Sequence, residues 1–237
     1  LINMTKDGRD DDIMGFGEVI NLGIKGLNEG DREFLDAEID RDEMSILLFT
    51  SGTTGNPKGV MLSHKNIVED IMAAPTILKV TVDDIFFSVL PMHHTYECTC
   101  GMLLPIYKGA SVAYCEGLKY IAKNLQEVRP TMFLGVPAIF EKLYKKIWQN
   151  VRKKGKENTL KKIVKINNKT KKVGINLGKI FFKDILNVFG GRMRIMISGG
   201  AAIDPSVIDG IRDFGINVVQ GYGLTECAPL AALNPDT

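Results

Sequence analysis

From Ser45 to Gln220 short apolar runs alternate with stretches of helical periodicity, and that alternation constrains the fold more than any other feature. Ser45–Phe49, Ile85–Leu90, Ser111–Cys115, Thr131–Leu134, Arg194–Ile197 and Asn217–Gln220 read as buried strands. Between them helices are expected from Ser63, an N-cap, to about Leu78, from about Thr95 to Tyr107, and over Leu118–Val128. Two more follow, one starting at Pro137 and one over Pro205–Phe214. The Pro137 helix gathers Leu143, Tyr144, Ile147, Trp148 and Val151 on one face. Strands without polar alternation, separated by helices, predict an α/β fold with a largely parallel β-sheet layered with helices.

Two regions stand apart in charge. Leu1 to Thr50 holds 13 acidic residues against 5 basic, and Lys142 to Lys183 holds 15 basic against the single acid Glu157. The formal net charge of +2 conceals this split. We divide the 237 residues into an acidic lead-in, 1–44, with one short helix around Phe16–Leu27, and an α/β region, 45–237, with a basic helical insertion at about 141–190. The stretch Arg152–Lys172, rich in Lys and Asn, reads as an insertion or mobile arm. A 45% hydrophobic content suffices for a sizeable core, and no apolar run reaches the roughly 18 residues of a spanning helix. The amino end lacks a secretory pattern, and Cys98, Cys100, Cys115 and Cys227 form no disulfide framework. A cytoplasmic protein with reduced thiols is expected.

The chemistry concentrates in two loops. Phe49-Thr-Ser-Gly-Thr-Thr-Gly-Asn-Pro-Lys-Gly59 follows the first strand directly. Its glycines let backbone N–H groups approach an anion, its hydroxyls add donors, and Lys58 adds charge, a combination suited to phosphate. It is not the common NTPase loop, since Lys58 is followed by Gly59 where that loop needs a hydroxyl for magnesium. Near the other end lie Ser198-Gly-Gly-Ala-Ala202 and Gln220-Gly-Tyr-Gly-Leu-Thr-Glu226. Both follow strands, so both should open at the carboxyl edge of one sheet, where α/β folds bind ligands. Tyr222 can lie flat on a base, Thr225 can donate to a phosphate, and Glu226 offers a hard oxygen for magnesium.

Together FTSGTTGNPKG and QGYGLTE resemble the paired signatures of the adenylate-forming enzymes, with SGGAA similar to their adenine-side loop and LPMHH, Leu90–His94, to their acyl-pocket motif. EGDREFLDAEID, GVPAIFEKLYKKI and FGGRMRIMISGGAAIDPSV are most similar to the long-chain fatty acid–CoA ligases. The resemblance implies part of the large N-terminal domain of an AMP-forming ligase. Such an enzyme makes an acyl-adenylate from ATP and a carboxylate, then an acyl-CoA, with ATP, fatty acid and CoA as substrates and Mg as cofactor. By motif position Ser51, Gly52, Thr53, Thr54, Gly55 and Lys58 would hold the β- and γ-phosphates, and Thr50 and Glu226 the magnesium. Thr225 would serve the α-phosphate. Gly200 and Ala201 would flank an adenine stacked on Tyr222, with Gln220, Gly221 and Gly223 adjacent. His94, Thr95 and Cys98 would line the acyl pocket. Lys58, Thr225 and Glu226 are thus the catalytic candidates. The family's ribose-binding aspartate, hinge and late lysine on a mobile carboxyl-terminal domain have no counterpart before Thr237. The chain is therefore expected to be an internal piece of a longer enzyme, inactive alone.

Other readings were weighed against this one. His93, His94, Cys98 and Cys100 lack the ligand spacing of a zinc site. The basic block has few aromatics among its lysines, so no nucleic-acid partner is expected; it reads either as a solvated lysine-rich face or as a peripheral contact with an anionic membrane. A nucleotide-binding or regulatory module that kept the loops without ligase chemistry is the alternative function.

Overall fold

The computed structural model describes residues 2–3, 14–50, 55–171 and 177–236. The chain divides into two units, residues 1–41 and 42–237. In the first, strands β1 (Ile2–Asn3) and β2 (Met14–Gly15) pair in parallel, and helix α1 (Phe16–Asn28) follows. No residue of α1 is buried; Phe16, Ile20, Leu22, Ile24 and Leu27 are all exposed.

The second unit is built on a six-stranded sheet of order β10-β9-β8-β7-β5-β6. Its strands are β5 (Ile85–Ser88), β6 (Ser111–Tyr114), β7 (Met132–Gly135), β8 (Ile195–Ser198), β9 (Asn217–Gly223) and β10 (Leu230–Leu233). All neighbours run parallel except β10, which pairs antiparallel on the β9 edge. Strand alternation sends successive side chains to opposite faces. Phe87, Phe133, Met196 and Val218 enter one cluster, and Phe86, Met132, Ile195 and Val219 the other.

Helices cover both faces. On the first lie α4 (Ile121–Val128), α5 (Pro137–Lys153), α6 (Glu157–Lys171), α8 (Lys183–Val188) and α9 (Pro205–Asp213), with the short α7 (Gly178–Phe181) preceding α8. Leu143 and Ile147 of α5 are buried there, with Tyr144, Trp148 and Val151 packed beside them, on the face read from the sequence. On the other face lie α2 (His64–Ile77), a π-helix (Tyr96–Leu103) and α3 (Leu104–Tyr107). Ser63 caps α2 as expected: Asn66 N donates to its hydroxyl, and Ser63 N donates back to the Asn66 side chain.

Two expectations need correction. Ser45–Phe49 lies within β3 (Met44–Thr50), which is not a buried strand of the main sheet. It forms a separate antiparallel hairpin with β4 (Lys58–Ser63), and its residues alternate between exposed and half-buried. Arg152–Lys172 is not a mobile arm over its described length. Residues 157–171 are helical, with Leu160 and Asn167 buried and Ile163 and Val164 packed on the core. The helix expected from about Thr95 to Tyr107 is present, as a π-helix over Tyr96–Leu103 that runs on into α3.

Candidate active site at the carboxyl edge of the sheet

Because β5, β7, β8 and β9 are parallel, their carboxyl ends share one edge, with Gly135, Ser198 and Gln220 in register across it. A cleft of about 160 Å³ opens there. His94, Thr95 and Tyr96 line it from the β5 side, Gly199 and Gly200 from the turn after β8, and Gly221, Tyr222, Gly223 and Thr225 from the end of β9. The Ser198–Ala202 and Gln220–Glu226 loops thus meet at the edge that the alternation predicted. Tyr222 is 62% exposed, its ring available to a flat ligand.

Long-range hydrogen bonds hold the walls. The Tyr96 hydroxyl donates to Ile197 O at 3.0 Å, and Thr99 Oγ1 donates to Ala228 O at 3.0 Å. Leu230 N donates to Asp70 Oδ2 at 2.6 Å. Two glycines are required by close approach. A Cβ on Gly199 would stand 2.9 Å from Tyr96 Cζ, and one on Gly223 would run into the Pro229 carbonyl oxygen. Burial, reinforced by the nearby Cys100 and Glu97, pushes the Tyr96 phenol well above its usual range, so it stays a neutral donor. Glu97 follows it in the π-helix with no exposed surface and both carboxyl oxygens without a hydrogen-bond partner. Burial raises its carboxyl above the usual range. Burial likewise raises the Cys98 thiol, and carries Cys100 to about 12. The sequence reading missed Tyr96 and Glu97, since neither falls in a loop motif; their place beside His94 was the available signal.

The glycine-rich loop springs from the hairpin. Thr50 and Lys58 face each other across it in register, Thr50 half-buried and Lys58 exposed. Gly55 adopts φ +85°, whereas Ser51, Gly52, Thr53 and Thr54 lie outside the described residues. Strand β4, which starts at Lys58, lies against the 3-10 turn Thr225–Cys227. The hairpin strand carrying the lysine therefore stands beside the turn carrying Glu226. Ala201, Gln220, Cys98 and Glu226 adjoin the cleft in sequence without lining it. The Gln220 backbone is engaged from behind: its N–H donates to Asn234 Oδ1 at 3.2 Å, and Asn234 N donates to its carbonyl at 3.1 Å.

Magnesium prefers one or two carboxylates, hydroxyls, waters and substrate phosphates over an all-protein cage. Glu226 is an exposed carboxylate on a turn packed against the hairpin that bears the Thr50 hydroxyl, and that donor set fits such an ion. Among the described residues no group of three or more His, Cys, Asp or Glu gathers as a metal site, and no helix is long and apolar enough to cross a membrane.

Comparison with known proteins agrees with this geometry. The chain is 35% identical over 208 residues to the probable CoA ligase CCL6 of Humulus lupulus, covering 80% of this chain and 31% of that protein. It is 30% identical over 236 residues to long-chain-fatty-acid–CoA ligase 1 of Cavia porcellus, covering 92% and 32%. It thus spans about a third of the length of these relatives. Among solved structures, the long-chain-fatty-acid–CoA ligase FadD1 of Archaeoglobus fulgidus superposes with a TM-score of 0.63 at 18% identity, over 94% of this chain and 40% of that one. The sequence profile of the AMP-binding enzymes matches residues 9–237. A parallel sheet whose carboxyl edge carries the Ser198–Ala202 and Gln220–Glu226 loops agrees with that match, and the chain belongs to the AMP-binding, adenylate-forming enzyme family.

Proposed function

We propose that this chain supplies the nucleotide-recognising part of an AMP-forming acid–thiol ligase that activates a long-chain fatty acid and passes the acyl group to CoA. The observation that carries the reading is the cleft itself, where His94–Thr95, the Gly199–Gly200 turn and the Gly221–Thr225 strand end share one site. In it, Gly200 and Ala201 flank the adenine, Tyr222 stacks on it, and Gln220, Gly221 and Gly223 form its backbone wall. Thr225 donates to the α-phosphate. Ser51, Gly52, Thr53, Thr54, Gly55 and Lys58 hold the β- and γ-phosphates. Preorganised donors around a developing negative charge are the main source of catalysis available to such a loop. Thr50 and Glu226 would hold magnesium, which supplies Lewis-acid stabilisation of phosphate oxygens when bound. The acyl chain enters past His94, Thr95 and Cys98.

Similarity to relatives about three times as long supports a further part of the proposal: these 237 residues alone leave the overall reaction incomplete. The lysines of α5 and α6 add a salt-sensitive contact with anionic membrane surfaces, checked by vesicle co-sedimentation at low and high salt. The test of the main reading uses the whole protein with ATP, magnesium, CoA and carboxylic acids of graded length. Pyrophosphate, AMP and thioester should appear together, with long chains preferred. Pyrophosphate release independent of any carboxylic acid would refute it.

A further inference from the structure

Two of the long-range bonds at the cleft start from one element. Tyr96 and Thr99 both lie on the π-helix Tyr96–Leu103, a kind of wide turn found mostly at functional sites. The helix is seated against the core, with Glu97, Thr99 and Cys100 buried. It is also continuous with the residues before it. Thr95 already has helical backbone angles, φ −52° and ψ −39°, and Cys98 N donates to His94 O at 2.9 Å. His94 and Thr95, which line the cleft, therefore form one rigid piece with the helix.

Each hydroxyl reaches a different loop of the cleft. Tyr96 donates to Ile197 O at 3.0 Å, two residues before Gly199, and its ring fills the space that a Gly199 Cβ would need. The phenol thus fixes the height of the Gly199–Gly200 turn. Thr99 donates to Ala228 O at 3.0 Å, and Ala228 N donates to Thr225 O at 3.2 Å, so Ala228 ties the Thr225–Cys227 turn to the helix. Ala228 is 2% exposed and holds φ +66°, in the left-handed region that disfavours a residue with a Cβ. Such a conformation persists only where its surroundings fix it. A hydroxyl has one proton to donate, and both of these are given to backbone carbonyls rather than left for a ligand.

We propose that Tyr96 and Thr99 are positioning residues with divided tasks. Tyr96 sets the adenine-side turn and with it the choice of base. Thr99 sets the turn bearing Thr225 and Glu226 and with it the placement of magnesium. The inference rests on the function proposed above. Guanine presents an amine and a carbonyl where adenine presents a hydrogen and an amine, so a turn held at one height rejects it by fit and by unpaired polar groups. A carboxylate on a turn that can drift meets a metal–phosphate pair less well.

The test uses the whole protein with Tyr96→Phe and Thr99→Val, each of which deletes one hydroxyl and keeps the side chain's shape. In Tyr96→Phe the preference for ATP over GTP in kcat/KM should fall about three- to tenfold, the worth of one hydrogen bond, with the magnesium midpoint of pyrophosphate release unchanged. In Thr99→Val that midpoint should rise by a similar factor with the base preference unchanged, and Thr99→Ser should restore it. Gly199→Ala, which presses a methyl onto the Tyr96 ring, should reproduce the loss of base preference. Urea unfolding of every variant accompanies the kinetics. Variants that shift both readouts together in proportion to lost stability, or that shift neither, would make the hydroxyls purely structural and overturn the inference. A wild type that releases no pyrophosphate on addition of a carboxylic acid would instead overturn the proposed function, and this inference with it.

Discussion

Arg194 and Asp84 make a prediction that can be worked through in magnitude. Asp84, on the amino side of β5, is 4% exposed. Its carboxylate accepts from Arg194 Nε at 3.0 Å and Nη2 at 2.8 Å, from Thr131 Oγ1 at 2.7 Å and from Thr81 N at 2.8 Å. Arg194 also donates to the Lys79 carbonyl and, at 3.4 Å, to Asp236. Burial alone would raise the Asp84 carboxyl, but the Arg194, Thr131 and Thr81 donors outweigh it and hold it at about 2, against an ordinary value of 3.8. At about 1.4 kcal/mol per pH unit the difference contributes about 2 kcal/mol of stability. Because the folded value is the lower one, that contribution is complete above pH 3.8 and is lost as the pH falls towards 2. Arg194→Met leaves the burial and removes the strongest donors. It should cost about 2–3 kcal/mol at neutral pH, below the usual buried-pair penalty because Arg194 is 34% exposed. The carboxyl should then rise, so acidification costs the variant less stability than it costs the wild type. Urea unfolding followed by Trp148 fluorescence between about pH 6 and pH 2 reads both slopes. Parallel stability curves for the two proteins would refute the account.

Three other perturbations address the site. Lys58→Ala in the whole protein should slow adenylation roughly 10- to 100-fold, the worth of a charge-assisted hydrogen bond, and leave stability within about 0.5 kcal/mol. A large drop in melting temperature with normal turnover would make Lys58 structural. Glu226→Gln should shift the magnesium dependence of pyrophosphate release to higher concentration, because an exposed carboxylate beside phosphates repels them unless a divalent cation intervenes. An unchanged magnesium titration would remove Glu226 from that role. Gly223→Ala forces a methyl into the Pro229 carbonyl. It should lower stability by about 1–3 kcal/mol in urea unfolding.

Where the sequence could be read, one periodicity dominated. The pairs Phe86–Phe87, Met132–Phe133, Ile195–Met196 and Val218–Val219 are apolar on both faces because helices cover both faces, and such runs are hard to mistake. The hairpin misled for the same reason. Leu47 and Phe49 are as apolar as Ile46 and Leu48, yet 47% and 70% exposed, so composition hid the alternation that marks a half-covered strand. Val60-Met61-Leu62, between the glycine-rich loop and the Ser63 cap, belongs to no expected element, although Val60 and Leu62 are core residues. In α6 the lysines drew attention from Leu160, Ile163, Val164 and Asn167, whose spacing is that of one buried helical stripe. The Ser198–Ala202 and Gln220–Glu226 loops were legible as strand ends, because each follows an apolar run of the sheet. Tyr96 was not, because its role is to lie beneath a glycine 103 residues away.

The bonds that close the cleft also set when it can form. Tyr96 to Ile197 spans 101 residues, Thr99 to Ala228 spans 129, and Leu230 to Asp70 spans 160. Each must wait for loop closure on that scale, so the ligand edge should be late to assemble and slow compared with the local α5–α6 pair. During synthesis the Tyr96 and Thr99 hydroxyls emerge long before the carbonyls that accept them. A chain halted before β9 would carry a π-helix with half its anchors missing. The nascent protein thus has a window in which the carboxyl edge of its sheet is open and unpaired, a window that lasts until β9 and β10 arrive.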